Sequence, residues 1–107
     1  MKTITIILLG VLSMSAEASN KILKFTARWC PPCQQMKPIV AAASEKTGVE
    51  VVDVDIDVDK TAPDKYRVRG IPTLILEKDG REVERVVGVQ SEEKLIEIIN
   101  KSFGLTK

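Results

Sequence analysis

The spacing of apolar and polar positions changes several times along the chain, and each change predicts an element. Thr3 to Leu12 runs almost wholly apolar, through Ile4, Ile6, Ile7, Leu8, Leu9, Val11 and Leu12. Lys21 to Thr26, with Ile22, Leu23 and Phe25 and few breakers, predicts a strand. A helix is predicted from Cys30 to about Lys46. Pro31 and Pro32 sit where a first helical turn needs no N–H, and Gly48 follows as a stop. Pro38 lies inside this helix and predicts a kink. Val49 to Asp57 predicts a second strand, with Val52, Val54 and Ile56 on one face and Asp53, Asp55 and Asp57 on the other.

The second half continues in the same way. A helix of two or three turns is predicted near Thr61 to Tyr66, with Thr61 as its cap and Asp64 three residues on. Leu74 to Glu77 predicts a strand, Asp79-Gly80 a two-residue hairpin turn, and Arg81 to Val87 the returning antiparallel strand, ending at Gly88. Ser91 caps a last helix, Glu92 to about Phe103, whose Leu95, Ile96, Ile98, Ile99 and Phe103 form an apolar stripe. The order β-α-β-α-β-β-α is an α/β pattern: a parallel pair joined by a crossover helix, then an antiparallel hairpin.

Composition narrows the function. A chain of 107 residues holds one domain, and 44% hydrophobic residues suit a packed core rather than a disordered chain. A net charge of +1 lacks the basic excess that phosphate neutralisation needs, which argues against nucleic acid as a partner. The sequence has no histidine, which removes imidazole-based triads and every histidine-containing zinc site. Its two cysteines, Cys30 and Cys33, are too few for a disulfide scaffold.

The N-terminal apolar run is short for a bilayer span but suits the core of a signal peptide, and Ala16-Glu17-Ala18 has the form of a cleavage site. Residues 1–18 are therefore read as a signal peptide and 19–107 as the mature domain, exported to the periplasm or cell envelope. Two alternatives stand beside this. Thr3 to Ile7 and Leu12 to Ser19 could be a first strand and helix of a cytoplasmic protein, or translation could start at Met14.

The chemistry centres on Cys30-Pro31-Pro32-Cys33. A thiol is nucleophilic only as thiolate, and exposed N–H groups at a helix N-terminus favour that charge. Cys30 would occupy such a position. Cys33, one turn later, could close a small disulfide with it. Cys30 can attack a substrate disulfide and Cys33 can then attack the mixed disulfide. The proline pair stiffens the loop and also removes two N–H donors. A static disulfide or a metal site are the other readings, although one Cys-x-x-Cys supplies only two zinc ligands.

With Trp29 ahead of the cysteines, Pro38 five residues after the second, Arg69-Gly70-Ile71-Pro72-Thr73, and Gly88 after the hairpin, residues 20 to 103 resemble the thioredoxin family. The resemblance implies the thioredoxin fold, a central mixed sheet of four or five strands flanked by helices, with Ile71-Pro72 cis beside the cysteines. It implies a substrate groove lined by Trp29, Pro31, Pro32, Ile71, Pro72, Val87 and Gly88. The implied activity is thiol–disulfide exchange on protein disulfides, with Cys30 attacking and Cys33 resolving. No bound cofactor or metal is implied, and the chain would act as a monomer. A flavin-dependent thioredoxin reductase or a membrane dithiol transporter would supply electrons. The absence of histidine between the cysteines distinguishes this chain from the strongly oxidising members and favours a reductant. An oxidant or isomerase, or a binding subunit of a larger complex, are the rivals.

One departure stands out. Members of the family usually carry a buried aspartate six residues before the first cysteine, where this chain has Lys24, and the family's lysine partner falls at Asp53. The pair reads as exchanged, Lys24 with Asp53, supporting proton transfer when Cys33 attacks. A buried charge left unpaired would cost several kcal/mol, roughly 3–5, so exchange of both partners is reasonable. Lys24 could instead reach solvent with no catalytic part. Asp53, Asp55 and Asp57 share the spacing of a calcium loop, but Val58 stands where glycine is needed and Asp64 where glutamate is needed, so a charged strand face is expected.

Overall fold

The computed structural model describes residues 19–105. The segment read as a signal peptide, residues 1–18, lies outside them, as does a fifth strand drawn from it. Within the described residues the elements are β1 (Asn20–Thr26), α1 (Pro31–Thr47), β2 (Glu50–Asp55), α2 (Ala62–Lys65), β3 (Thr73–Lys78), β4 (Arg81–Val87) and α3 (Glu92–Phe103). The strands form one mixed sheet in the order β2-β1-β3-β4. β1 runs parallel to β2 and antiparallel to β3, and β3 pairs antiparallel with β4. This is the four-stranded arrangement expected of the thioredoxin fold.

Alternation along the strands sets which face each residue serves. Ile22, Leu74, Leu76 and Val86 turn to one face, where they pack with Met36, Val40 and Ala43 of α1 and with Leu95, Ile99 and Phe103 of α3. Leu23, Phe25 and Ile75 turn to the other, against Ala62, Tyr66 and Val68 around α2. The Tyr66 ring meets Phe25 edge-on at 5.5 Å. Register is strongly specified, because a slip of one residue would exchange these two faces.

The helix ends follow their local chemistry. Cys30 is the N-cap of α1, Pro31 and Pro32 occupy its first positions, and Gly48 closes it at φ 76° with its N–H bonded to the Ser44 carbonyl. Pro38 sits inside α1 as expected. Ser91 caps α3 by accepting the Lys94 N–H at 3.1 Å. Lys46 near the end of α1 and Glu92 at the start of α3 form an ion pair between the two helices.

The α2 region differs from expectation. The helix has four residues rather than two or three turns, and Thr61 does not cap it. Asp59 accepts both the Thr61 N–H and its hydroxyl, so that hydroxyl is committed before the helix begins. At the other end Arg67 takes a left-handed φ of 57° and the Val68 N–H returns to the Pro63 carbonyl, which stops further helix. β2 also ends two residues early. Asp55 accepts the Asp57 N–H through its side chain and the Val58 N–H through its carbonyl, turning the chain away from the sheet.

Candidate active site

The parallel pair β1 and β2 ends where α1 begins, and the cysteines sit at that junction. β1 is followed by Ala27, whose carbonyl accepts the Cys30 N–H at 3.3 Å and the Gln34 side-chain amide at 3.1 Å. The strand-to-helix turn is thereby closed by both backbone and side chain. Cys30 and Cys33 are joined as a disulfide with a Cα–Cα distance of 5.2 Å. Both are buried, packed on Ala27 with Ile56 and Ile71 alongside.

The electrostatics of Cys30 follow from the proline pair. An N-cap side chain normally accepts from the second or third helical N–H. Here the first two helical residues are Pro31 and Pro32, which have none, so the Cys33 N–H is the donor that reaches Cys30 Sγ, at 3.2 Å. The Gln34 N–H bonds the Cys30 carbonyl instead. The sulfur of Cys30 therefore meets one backbone donor and the positive end of a 17-residue helix.

Across the site the Ile71-Pro72 peptide bond is cis, and the Ile71 carbonyl oxygen lies 3.9 Å from Cys30 Sγ. The Thr73 hydroxyl donates to the Gly70 carbonyl at 2.5 Å, and the Gly88 N–H donates to the Pro72 carbonyl at 2.9 Å. These bonds draw Ile71, Pro72, Val87 and Gly88 together beside the cysteines. Gly88 has φ 89°, with open space where a Cβ would stand, so backbone conformation and not crowding calls for glycine there. Pro31, Pro32 and Val87 are exposed, whereas Pro72 is fully buried.

Trp29 is 65% exposed, so it is a rim residue and not part of the core. Its indole N–H donates to Asp57 Oδ2 at 2.9 Å. A cavity of about 240 Å³ lies between Trp29, Ile56, Val68, Arg69 and Ile71. Asp57 was not singled out for the site from the sequence, being read as one of three strand-face aspartates. The sequence carries no signal for it: the strand is expected to run through Asp57, and only the early end of β2 at Asp55 brings Asp57 level with the start of α1.

Lys24 and Asp53 stand opposite each other on β1 and β2, with Lys24 Nζ 3.0 Å from Asp53 Oδ1. The Lys24 side chain is 10% exposed and that of Asp53 65%, so the lysine is buried and the carboxylate faces water. They sit beneath α1. A cavity of about 370 Å³ lined by Lys24, Asp53, Gln34 and Lys37 reaches Ala27, the residue on which both cysteines pack. Neither cysteine lines that cavity. Among the described residues no group of three or more His, Cys, Asp or Glu side chains could hold a metal ion.

Residues 12–101 of the chain match the thioredoxin family. The chain is 44% identical over 81 residues to a thioredoxin of Chlamydia trachomatis, covering 75% of this chain and 79% of that protein. It is 37% identical over 87 residues to a thioredoxin of Staphylococcus aureus, covering 79% and 84% respectively. Among solved structures, a mutant thioredoxin from Halobacterium salinarum superposes with a TM-score of 0.77 at 36% identity, covering 89% of this chain and 84% of that one.

Proposed function

The chain belongs to the thioredoxin family of thiol–disulfide oxidoreductases, and from that premise we propose that it reduces protein disulfides, with Cys30 attacking and Cys33 resolving. The observation that carries the assignment is Cys30 Sγ at the start of α1, accepting the Cys33 N–H at 3.2 Å. In the reduced protein the same donor and the helix end stabilise a Cys30 thiolate. That thiolate attacks one sulfur of a substrate disulfide, forming a Cys30–substrate bond, and the departing substrate sulfur takes up a proton. Cys33, as thiolate, then attacks Cys30 Sγ. The Cys30–Cys33 bond forms, the mixed disulfide breaks, and the second substrate sulfur leaves as a thiol. Two electrons pass to the substrate.

Disulfide-bearing proteins are the substrates, and a reductase returns the pair to the dithiol. That donor is a flavin-dependent thioredoxin reductase if the chain acts in the cytoplasm, or a membrane dithiol transporter if it is exported. The signal-like segment 1–18 supports export. The family match beginning at residue 12 supports the cytoplasmic alternative, in which part of that segment belongs to the fold. The mass of the protein from its native host tests this: a chain of residues 19–107 means export, and a full-length or Met14-started chain favours the cytoplasm. The cysteine pair carries both electrons, so the reaction needs no bound cofactor, and one monomer suffices. Trp29, Pro31, Pro32, Ile71, Pro72, Val87 and Gly88 form the surface that receives the substrate chain. The exposed indole and Val87 supply apolar contact, and the backbone around the cis proline supplies polar contact.

Lys24 and Asp53 support proton transfer when Cys33 attacks. The approach of the cavity beside the pair to Ala27, on which Cys33 packs, supports this reading. Lys24→Met should flatten the pH dependence of the second step, measured as release of substrate from a preformed mixed disulfide; an unchanged profile removes the role. For the main assignment, Cys33→Ser should accumulate a covalent adduct with a protein disulfide and lose turnover, and Cys30→Ser should form none. Adduct formation by Cys30→Ser would reverse the two roles. Equilibration with glutathione tests direction: a disulfide that glutathione reduces readily would mark an oxidant.

A further inference from the structure

Outside the cysteine site, Arg85 of β4 makes four hydrogen bonds through one guanidinium. It donates to the Tyr66 carbonyl at 2.8 Å and the Arg67 carbonyl at 2.9 Å, and to both oxygens of Glu82 at 2.8 and 2.9 Å. Tyr66 is the C-cap of α2 and Arg67 the residue after it, so both carbonyls lie past the helix and take the guanidinium as a donor. The pairing with Glu82 depends on an irregularity in the sheet. Residues three apart on a regular strand point to opposite faces. Between the pairs Leu76–Glu84 and Glu77–Glu82 the register slips by one, leaving Val83 as an extra residue. This bulge turns Glu82 to the face that Arg85 already shares with Ile75. Hydrogen bonding from Arg85 in turn holds the Glu82 carboxyl below its ordinary range.

The clamp leads to the groove. From Tyr66 the chain has no regular structure until Thr73, and Val68, Arg69, Gly70 and Ile71 of this stretch line the cavity shared with Trp29. The far end is held by the Thr73 hydroxyl on Gly70 and by Gly88 on Pro72. At the near end Arg85 is the hydrogen-bonded tie to β4, beside the packing of Tyr66 and Val68 on Leu23, Phe25 and Ile75. We propose that Arg85, aimed by Glu82 across the bulge at Val83, is a positioning residue for substrate binding: it holds the Tyr66–Ile71 stretch as a preformed wall of the groove beside Cys30. The proposal rests on the disulfide-reductase reading. A wall already ordered in the free protein spares the substrate chain the cost of ordering it. The loss of Arg85 therefore falls on binding a long substrate and not on the sulfur chemistry.

Steady-state reduction of a folded protein disulfide and of oxidised glutathione, with Arg85→Met, Arg85→Lys and Glu82→Gln, tests this. Arg85→Met should raise KM for the protein roughly fivefold while kcat holds, the signature of lost uniform binding. The ratio of protein to glutathione efficiency should fall by the same factor. Arg85→Lys keeps charge without the fork and should recover little of it, and Glu82→Gln should fall between. Amide hydrogen exchange at Val68 to Ile71 should quicken in the same order. A protein KM within twofold of the parent in Glu82→Gln and in whichever Arg85 variant folds, with exchange unchanged, overturns the proposal. So does an equal loss of kcat on both substrates. If the parent reduces neither substrate, the reductase reading itself fails, which is a separate result.

Discussion

At the scale of single residues, Pro32 sets how much help the backbone gives Cys30. It occupies the second position of α1, from which an N–H would reach an N-cap acceptor, and it has none to offer. Pro32→Ala keeps the helical φ and restores that donor. The restored N–H should hydrogen-bond the Cys30 thiolate, a bond to a charged acceptor worth roughly 1.5–3 kcal/mol, so alkylation of the reduced variant should extend to lower pH than in the parent. The pH dependence of alkylation by iodoacetamide measures this directly; an unshifted or raised midpoint would show that the restored N–H does not face the sulfur. At this scale the sequence was most readable. Trp29, Cys30, Cys33, Pro72 and Gly88 sit at fixed offsets, and each has a local reason to be where it is. The Trp29–Asp57 bond was not readable, because it joins residues 28 apart whose meeting depends on where two strands end.

At the scale of elements, boundaries that rest on a single strong signal were readable, and those that rest on competition between signals were not. Arg81–Val87 and Glu92–Phe103 stand where the Asp79-Gly80 turn and the Ser91 cap put them. The α2 region failed because Asp59, an equally good acceptor two residues upstream, captured the Thr61 hydroxyl. The bulge in β4 could not be read, since alternation through Glu82, Val83 and Glu84 carries no clear apolar face to reveal the slip. That bulge predicts a pH effect. Hydrogen bonding from Arg85 lowers the Glu82 pKa from its ordinary 4.5 in the folded protein. The contribution to stability is therefore present above pH 4.5 and lost as the pH falls through the lower folded value. Glu82 is 41% exposed, so solvent screening holds it to at most about 1 kcal/mol. In urea titrations Glu82→Gln should be less stable than the parent at pH 7, and the gap should shrink progressively as the pH is lowered below 4.5. A gap that persists in acid would mean that the Arg85 fork gains nothing from the carboxylate charge.

At the scale of the whole molecule, stability and reactivity are carried by different parts of a small core. The larger cluster joins α1, α3 and one face of the sheet and contains no cysteine; the cysteines pack in a separate small group on Ala27. Met36 lies one turn past Cys33 in α1 and belongs to the larger cluster, so α1 is the element common to both. A domain of this size buries a smaller share of its surface than a large one, and its margin is correspondingly narrow. Ile99 of α3 is fully buried in the larger cluster. Ile99→Ala removes that packing and leaves a cavity, at a cost of about 2–5 kcal/mol against a typical total of about 5–15. The denaturation midpoint should fall sharply while the far-ultraviolet circular dichroism at low temperature keeps its native form. The N-terminus of α1 is fixed separately, by Ala27, Gln34 and the Cys33 N–H. Iodoacetamide should therefore alkylate Cys30 of the folded, reduced variant at the parent's rate and with the parent's pH dependence. A shift in that pH dependence would mean that packing at the far end of the molecule reaches the sulfur through α1, and that the two clusters act as one.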